Sequence, residues 1–293
     1  IGKTSLSIAL AQHFNCDIIS CDSRQFFKEM QIGTAVPTTE ELAGVQHHFI
    51  QNKSIFENYT VGDFEKEAVA KVDELFKTND YAVMVGGSGL YVDAVLKGFD
   101  DFPEIEASVR EEVTSNYEKL GIEYLQTELE KRDPDYFKVV AKENPQRMMR
   151  ALEVCIGTGK PYSSFLNLKK NSRNFKPILI GLEAERNIIY DRINQRVDIM
   201  MSEGLFAEAE NLLPYKNLNA MQTVGYRELF RYFEGEISLE FAIEEIKKNT
   251  RRFAKRQLTW FKRNENIMWF DYLTDRKEII ININDKSNGN DKI

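Results

Sequence analysis

The chain has 293 residues, 42% hydrophobic and 29% charged, which suits a globular protein of one large domain or one and a half. No apolar run approaches the roughly 18 residues of a membrane helix, so no membrane partner is expected. An excess of 46 acids over 39 basic residues, a net charge of -7, argues against a nucleic-acid partner unless the basic residues are segregated.

The chain starts at Ile1 rather than Met, which predicts a trimmed product of something longer. Ser5 to Phe14 has helical spacing. Asp17-Ile18-Ile19-Ser20-Cys21 reads as a short buried parallel strand, and Asp63 to Lys77 as a helix. Tyr81-Ala82-Val83-Met84-Val85 is a second strand, running into Gly86-Gly87. From about Phe102 to Ala141 the pattern becomes charged and helical, broken by Gly121 and by Asp133-Pro134, and predicts a helical insertion at 102–141 within a core of 1–101 and 142–293. Pro177 to Leu182 is a third strand candidate and Asn187 to Gly204 a helix. After Leu205 the pattern is helical until Trp269-Phe270-Asp271-Tyr272, and Asp285 to Ile293 is polar and expected to fray. This alternation predicts an α/β fold, a parallel sheet flanked by helices with a helical insertion and a helical C-terminal region. Cys16, Cys21 and Cys155 lack metal-type spacing, which predicts reduced thiols and a cytoplasmic location; a monomer is expected.

Gly2-Lys3-Thr4 before a helix has the form of a P-loop end, with the first glycine of that signature and its strand absent. There glycine lets backbone amides curl around phosphate oxygens, lysine adds a point charge, and the threonine hydroxyl ligates Mg²⁺. Such tripeptides also open helices that bind nothing. Asp22-Ser23-Arg24-Gln25 follows the first strand at its carboxyl end, where open parallel sheets bind ligands. Asp22 and Ser23 either face that ligand or cap the next turn. Gly86-Gly87-Ser88-Gly89-Leu90-Tyr91 either admits a ligand close to the backbone or makes a tight turn. His47 and His48 point in different directions on any regular element, and no third ligand completes a set, so a loop or packing role is expected.

Between Lys247 and Arg263 lie Lys247, Lys248, Arg251, Arg252, Lys255, Arg256, Lys262 and Arg263, with no acid. At about 100° per residue they share roughly half of a helix, opposite Ile246, Phe253, Ala254, Trp260 and Phe261. A solvated helix ordinarily mixes signs, so a one-sign face predicts a polyanion partner and removes the objection from net charge. Gln146, Arg147 and Arg150 form a smaller basic face.

Together, Gly2-Lys3-Thr4, Asp22-Ser23-Arg24-Gln25 and Gly86 to Tyr91 resemble the tRNA dimethylallyltransferase (tRNA isopentenyltransferase) family. Further matches follow in order. They are Leu42-Ala43-Gly44-Val45-Gln46-His47-His48, Asn144-Pro145-Gln146-Arg147 with Arg150 to Val154, Thr223-Val224-Gly225-Tyr226-Arg227-Glu228, and Lys255-Arg256-Gln257-Leu258-Thr259-Trp260. The resemblance spans residues 1 to about 270. It implies a P-loop NTPase-like sheet and Mg²⁺-dependent transfer of a dimethylallyl group from dimethylallyl diphosphate to N6 of adenosine 37 in the anticodon loop of tRNA.

The resemblance also implies roles. Gly2, Lys3, Thr4 and Ser5 would hold the diphosphate, with Thr4 on the metal. Asp22 would be the general base and Arg196 a diphosphate-facing arginine; without the resemblance Arg196 reads as a surface residue paired to Asp191 or Asp198. Ser88, where the family usually carries threonine, would line the channel between allyl donor and tRNA, and Arg110 would contact tRNA. Further tRNA contacts would come from Ser23, Arg24, Gln25, Gln146, Arg147, Arg150, Thr223, Gly225, Tyr226, Arg227, Lys255, Arg256, Gln257, Trp260 and Lys262. Three rivals are weighed against this. A P-loop kinase of a small metabolite or nucleotide leaves the basic helix unexplained. An adenylate isopentenyltransferase leaves the long helical C-terminal region unexplained. A non-catalytic RNA-binding module leaves the phosphate loop and Asp22 unexplained.

Overall fold

The computed structural model describes residues 1–42, 44–100, 102–166 and 173–289. Ala43 and the last four residues of the polar C-terminal stretch lie outside them. Contacts divide the chain into two compact units, residues 1–96 with 173–293 and Lys97–Ser172.

The first unit opens with helix α1 (Lys3–Phe14), entered through Gly2 at φ 67°, a left-handed conformation that favours glycine. Strand β1 (Ile18–Ser20) follows, with Ile18 and Ile19 fully buried, as a β-branched strand covered on both faces should be. The short α2 (Thr39–Leu42) leads to β2 (His47–His48). Helix α3 (Val61–Leu75) starts at a capping box, in which Thr60 Oγ1 accepts from Asp63 N and the Asp63 carboxylate accepts from Thr60 N. Such boxes contribute about 1 kcal/mol. Strand β3 (Val83–Val85) and α4 (Gly89–Lys97) complete this half. The sheet order is β2-β1-β3, all parallel, with Ile18 opposite both His47 and Val83.

The second unit consists of α5 (Ala107–Leu120), α6 (Ile122–Arg132), α7 (Pro134–Val139) and α8 (Pro145–Thr158) around Val113, Leu125, Leu129, Met148 and Leu152. It is wider than the expected 102–141 insertion. The reason is packing: α8 sets its buried face against α5 and α6, so the helix carrying Gln146, Arg147 and Arg150 shares their core. Asp133 and Asn144, each followed by proline, cap α7 and α8. Asp133 is buried, but its carboxylate accepts from Tyr136 N, Ser163 N and Ser163 Oγ.

The chain re-enters the first unit with β4 (Ile180–Glu183), α9 (Arg186–Ser202), α10 (Leu205–Leu212), α11 (Tyr226–Phe233), α12 (Leu239–Phe261), β5 (Met268–Asp271) and α13 (Arg276–Ser287). The third expected strand thus exists, but it pairs in parallel with β5 rather than joining the first three. Side chains connect the two ladders: Ile180, Leu182 and Phe270 pack with Leu10, Val83, Ile279 and Ile283. Helix α13 continues through Asp285 to Ser287, where fraying was expected, because Ile279 and Ile283 bury one side of it. Helices α9 to α12 enclose a core that also takes in Phe27, Met30 and Ile55.

Candidate functional site

The carboxyl ends of β1 and β3 are tied together. Cys21 N donates to Val85 O at 2.8 Å, and a β-carbon on Gly86 would lie 2.5 Å from Cys21 Sγ. Only glycine fits there. One residue beyond, Asp22 is half-buried, and its Oδ1 accepts from Arg24 N at 3.2 Å. Ser23 N donates to Ser88 Oγ at 3.1 Å, and the two hydroxyls are also 3.1 Å apart. The turns after β1 and β3 therefore form one structure, with the Ser88 hydroxyl engaged within it.

The phosphate-loop residues meet the same place. A β-carbon on Gly87 would lie 2.9 Å from Lys3 Nζ and would overlap the Gln257 amide. A β-carbon on Gly89 would overlap the Trp260 indole, whose Nε1 donates to Asp93 Oδ2 at 3.0 Å. The last turns of α12 thus cover the glycine turn. Lys3, Thr4 and Ser5 are exposed on the first turn of α1, which carries no acid. A helix N-terminus of this kind attracts anions. Ser5 Oγ accepts from Arg276 Nη2 at 2.5 Å.

Arg196 lies in this region. Lys3, Arg196 and Arg192 all stand near enough to residue 1 for their charges to act there, so three cations converge beside the phosphate loop. The alternative partner Asp198 is 2.8 Å from Lys247, and among the described residues Arg196 makes no ion pair. Arg192, which sequence reasoning missed, sits over the Tyr272 ring at 4.9 Å; its signal was the one-turn spacing from Arg196.

The residues expected on a tRNA surface divide. Arg24 is half-buried, and burial lowers its pKa against the opposing pull of Tyr91 and Asp22. Its Nη1 lies 3.4 Å from Asn219 O. The Gln25 amide donates to Thr34 O and Ala35 O, so it shapes its own loop. Thr223, Gly225 and Tyr226, for which tRNA contact is expected, are all buried in the free chain. Thr223 Oγ1 donates to Ala220 O, and Gly225, at φ 105°, donates its N–H to the buried Glu228 carboxylate. Tyr226 is fully buried against Gly33, and its hydroxyl donates to Glu208 Oε1 at 2.7 Å. Glu208 also accepts from the N–H groups of Gln31, Ile32 and Gly33. The motif is an internal corner that fixes the loop after β1, and only Arg227 in it is exposed.

The one-sign face of α12 also needs correction. Lys247 pairs with Asp198 and Glu244, Lys248 with Glu245, and Lys262 with Glu183 at 3.2 Å. Arg251 donates to Asn194 Oδ1. Acids from the preceding turns and from other elements neutralise the three lysines, which the 247–263 window could not reveal. Arg252, Lys255, Arg256 and Arg263 remain exposed without an acid partner among the described residues. Phe253 is 43% exposed rather than in the apolar seam, and Arg256 lies over its ring at 5.6 Å. Trp260 is held by Gly89 and Asp93 rather than displayed to solvent.

In the second unit, Arg110, Gln146 and Arg150 do come together, lining a cleft of about 320 Å³ with Thr114, Met149 and Glu153. Arg147 is exposed, and its charge acts on Tyr136 and Tyr162. His47 and His48 lie in β2, where His47 Nδ1 is 2.8 Å from Val45 O and His48 Nε2 is 2.8 Å from Asp17 Oδ2.

Residues 25–264 match the IPP transferase family. The chain is 73% identical over 286 residues to a tRNA dimethylallyltransferase of Flavobacterium johnsoniae, covering 96% of this chain and 93% of that one. It is 66% identical over 292 residues to the tRNA dimethylallyltransferase of Flavobacterium psychrophilum, covering 98% and 95%. Among solved structures, the tRNA isopentenylpyrophosphate transferase of Bacillus halodurans is 38% identical with a TM-score of 0.70, covering 98% of this chain and 92% of that one. A eukaryotic dimethylallyltransferase acting on tRNA is 25% identical with a TM-score of 0.81, covering 98% and 77%.

Proposed function

The chain belongs to the IPP transferase family and shares the dimethylallyl transfer to tRNA for which its relatives are named, and on that premise we propose how its residues perform the step. Dimethylallyl diphosphate is the donor. The acceptor is N6 of adenosine 37, flipped out of the anticodon loop at a cost of a few kcal/mol. One observation carries the reading: Lys3 lies against Gly87, and Ser88 grips Ser23, the neighbour of Asp22. A phosphate-binding cation and a half-buried carboxylate thereby share the ends of two parallel strands, where such sheets bind ligands.

The N–H groups opening α1, with Lys3 and Arg196, take up negative charge on the diphosphate as its bond to C1 breaks. Ser5 contributes through its backbone, since Arg276 occupies its hydroxyl. The adenine amine is a weak nucleophile because its lone pair is delocalised into the ring. Asp22 accepts a proton from N6 as the carbon–nitrogen bond forms. The exposed Thr4 hydroxyl, on the first turn of α1, would be the protein ligand of Mg²⁺. When bound, the ion would neutralise leaving-group charge. Arg24, Arg227, Lys255 and Arg256 offer exposed or half-buried cations to the RNA backbone.

The test is incubation with radiolabelled dimethylallyl diphosphate, Mg²⁺ and either unmodified tRNA carrying A36-A37-A38 or AMP. Label in tRNA alone is the expected result, and label in AMP alone overturns it.

A further inference from the structure

Helix α8 buries Met148, Met149, Ala151, Leu152, Val154 and Cys155, and with them Glu153, only 5% exposed, on the side that also carries Gln146, Met149 and Arg150. A carboxylate costs several kcal/mol to bury unless it is paired and hydrogen-bonded. Glu153 uses both oxygens. Oε2 accepts from Arg150 Nη1 at 3.2 Å on its own helix, and Oε1 lies 3.7 Å from Arg110 Nε on α5. The arginine side chains are 46% and 70% exposed, so the acid is inside and the two guanidiniums are at the surface.

Both arginines line the 320 Å³ cleft that also contains Gln146 and Thr114. A guanidinium has five N–H donors; Arg150 gives one of its own to Glu153, while Arg110 faces the carboxylate as an ion pair at 3.7 Å, leaving the other donors for an acceptor in the cleft. The single Glu153 carboxylate offsets only one of the two guanidinium charges, so the cleft keeps a net positive charge for an anion. The Phe102 ring, 5.6 Å from the Arg150 guanidinium, supports the second arginine further. Stability alone does not call for this arrangement, since apolar residues commonly replace buried ion groups of similar volume without loss.

We propose that Glu153 is a positioning residue, holding Arg110 and Arg150 as a preset pair for a backbone phosphate of the RNA substrate. The inference rests on the tRNA reading above. It makes a prediction opposite to charge counting, by which Glu153→Gln, having lost a negative charge, would bind RNA more tightly.

The experiment compares Glu153→Gln, Glu153→Asp, Arg110→Gln and Arg150→Gln with the wild-type chain. It measures affinity for an anticodon stem-loop RNA, separate KM values for tRNA and dimethylallyl diphosphate, and folding by circular dichroism. Folded Glu153→Gln should weaken stem-loop binding and raise the tRNA KM about tenfold, leaving the diphosphate KM and kcat within about twofold. Glu153→Asp should recover part of the loss. Stem-loop affinity equal to or tighter than wild type in folded Glu153→Gln overturns the proposal. If Glu153→Gln does not fold, a double-mutant cycle between Arg110 and Arg150 decides: coupled losses support a shared carboxylate, and additive losses overturn it. A wild-type chain that binds the stem-loop but labels no tRNA would sink the transfer reading, leaving the Glu153 comparison to be decided by binding. A wild-type chain that binds no RNA sinks both.

Discussion

The Ser88 hydroxyl accepts the backbone N–H of Ser23 and lies 3.1 Å from the Ser23 hydroxyl, joining the turn after β3 to the turn that carries Asp22. Removing it leaves a part-buried donor without a partner, which costs about 1–3 kcal/mol. Ser88→Ala should therefore lower both melting temperature and kcat, whereas Ser88→Thr, which keeps the hydroxyl, should stay close to wild type in both. Initial rates at saturating substrates, with a thermal melt, check this.

Asp22→Asn keeps the shape of the side chain and its ability to accept from Arg24 N, but removes the proton acceptor. Turnover should fall by about 10²–10⁴-fold, the usual worth of a general base. The Kd for tRNA should stay nearly unchanged. Single-turnover label transfer alongside a binding titration separates the two, and near wild-type turnover would remove Asp22 from the role of base.

The cations of α12 should not contribute equally to RNA binding. Lys255 and Arg256 are exposed without acid partners among the described residues, whereas Lys262 is paired with Glu183. Replacing Lys255 and Arg256 by Gln should reduce the slope of log Kd against log salt by about 0.7–0.9 for each RNA phosphate no longer neutralised. Lys262→Gln should change it less. Equal effects at all three positions would show that the Glu183 pair opens on binding.

Tyr226→Phe tests the internal corner. Its hydroxyl donates to Glu208, which also accepts three backbone N–H groups, and burial pushes the phenol pKa far up. Losing that donor should cost about 1–2 kcal/mol of stability. Gly33→Ala should cost more, since its β-carbon would come within 2.6 Å of the Tyr226 ring. Urea denaturation measures both. A specific defect in tRNA affinity at full stability would instead return Tyr226 to the RNA surface.

The three thiols should be inert in the native chain. Burial raises Cys16 to about 11 and Cys21 to about 12, and it raises Cys155 as well. At pH 8 little thiolate is present and the sulfurs are covered, so iodoacetamide should label none of them without denaturant and all three with it. Mass spectrometry reads the count.

The sequence alone determined what depends on neighbours along the chain. Period and propensity marked α1, α3, β1 and β3, and the glycines and Asp22 stood directly after strands, where short-range geometry puts them at the sheet's ligand-binding edge. Partnership between distant residues was not legible there. Tyr226 is buried because Gly33 and Glu208 come to it, and Lys262 is neutralised by Glu183, far from it in the chain. A charge counted along a helix says nothing about acids delivered by another element, and a motif's composition does not say which side faces solvent. Those are properties of packing at long sequence separation, and only the tertiary structure decided them.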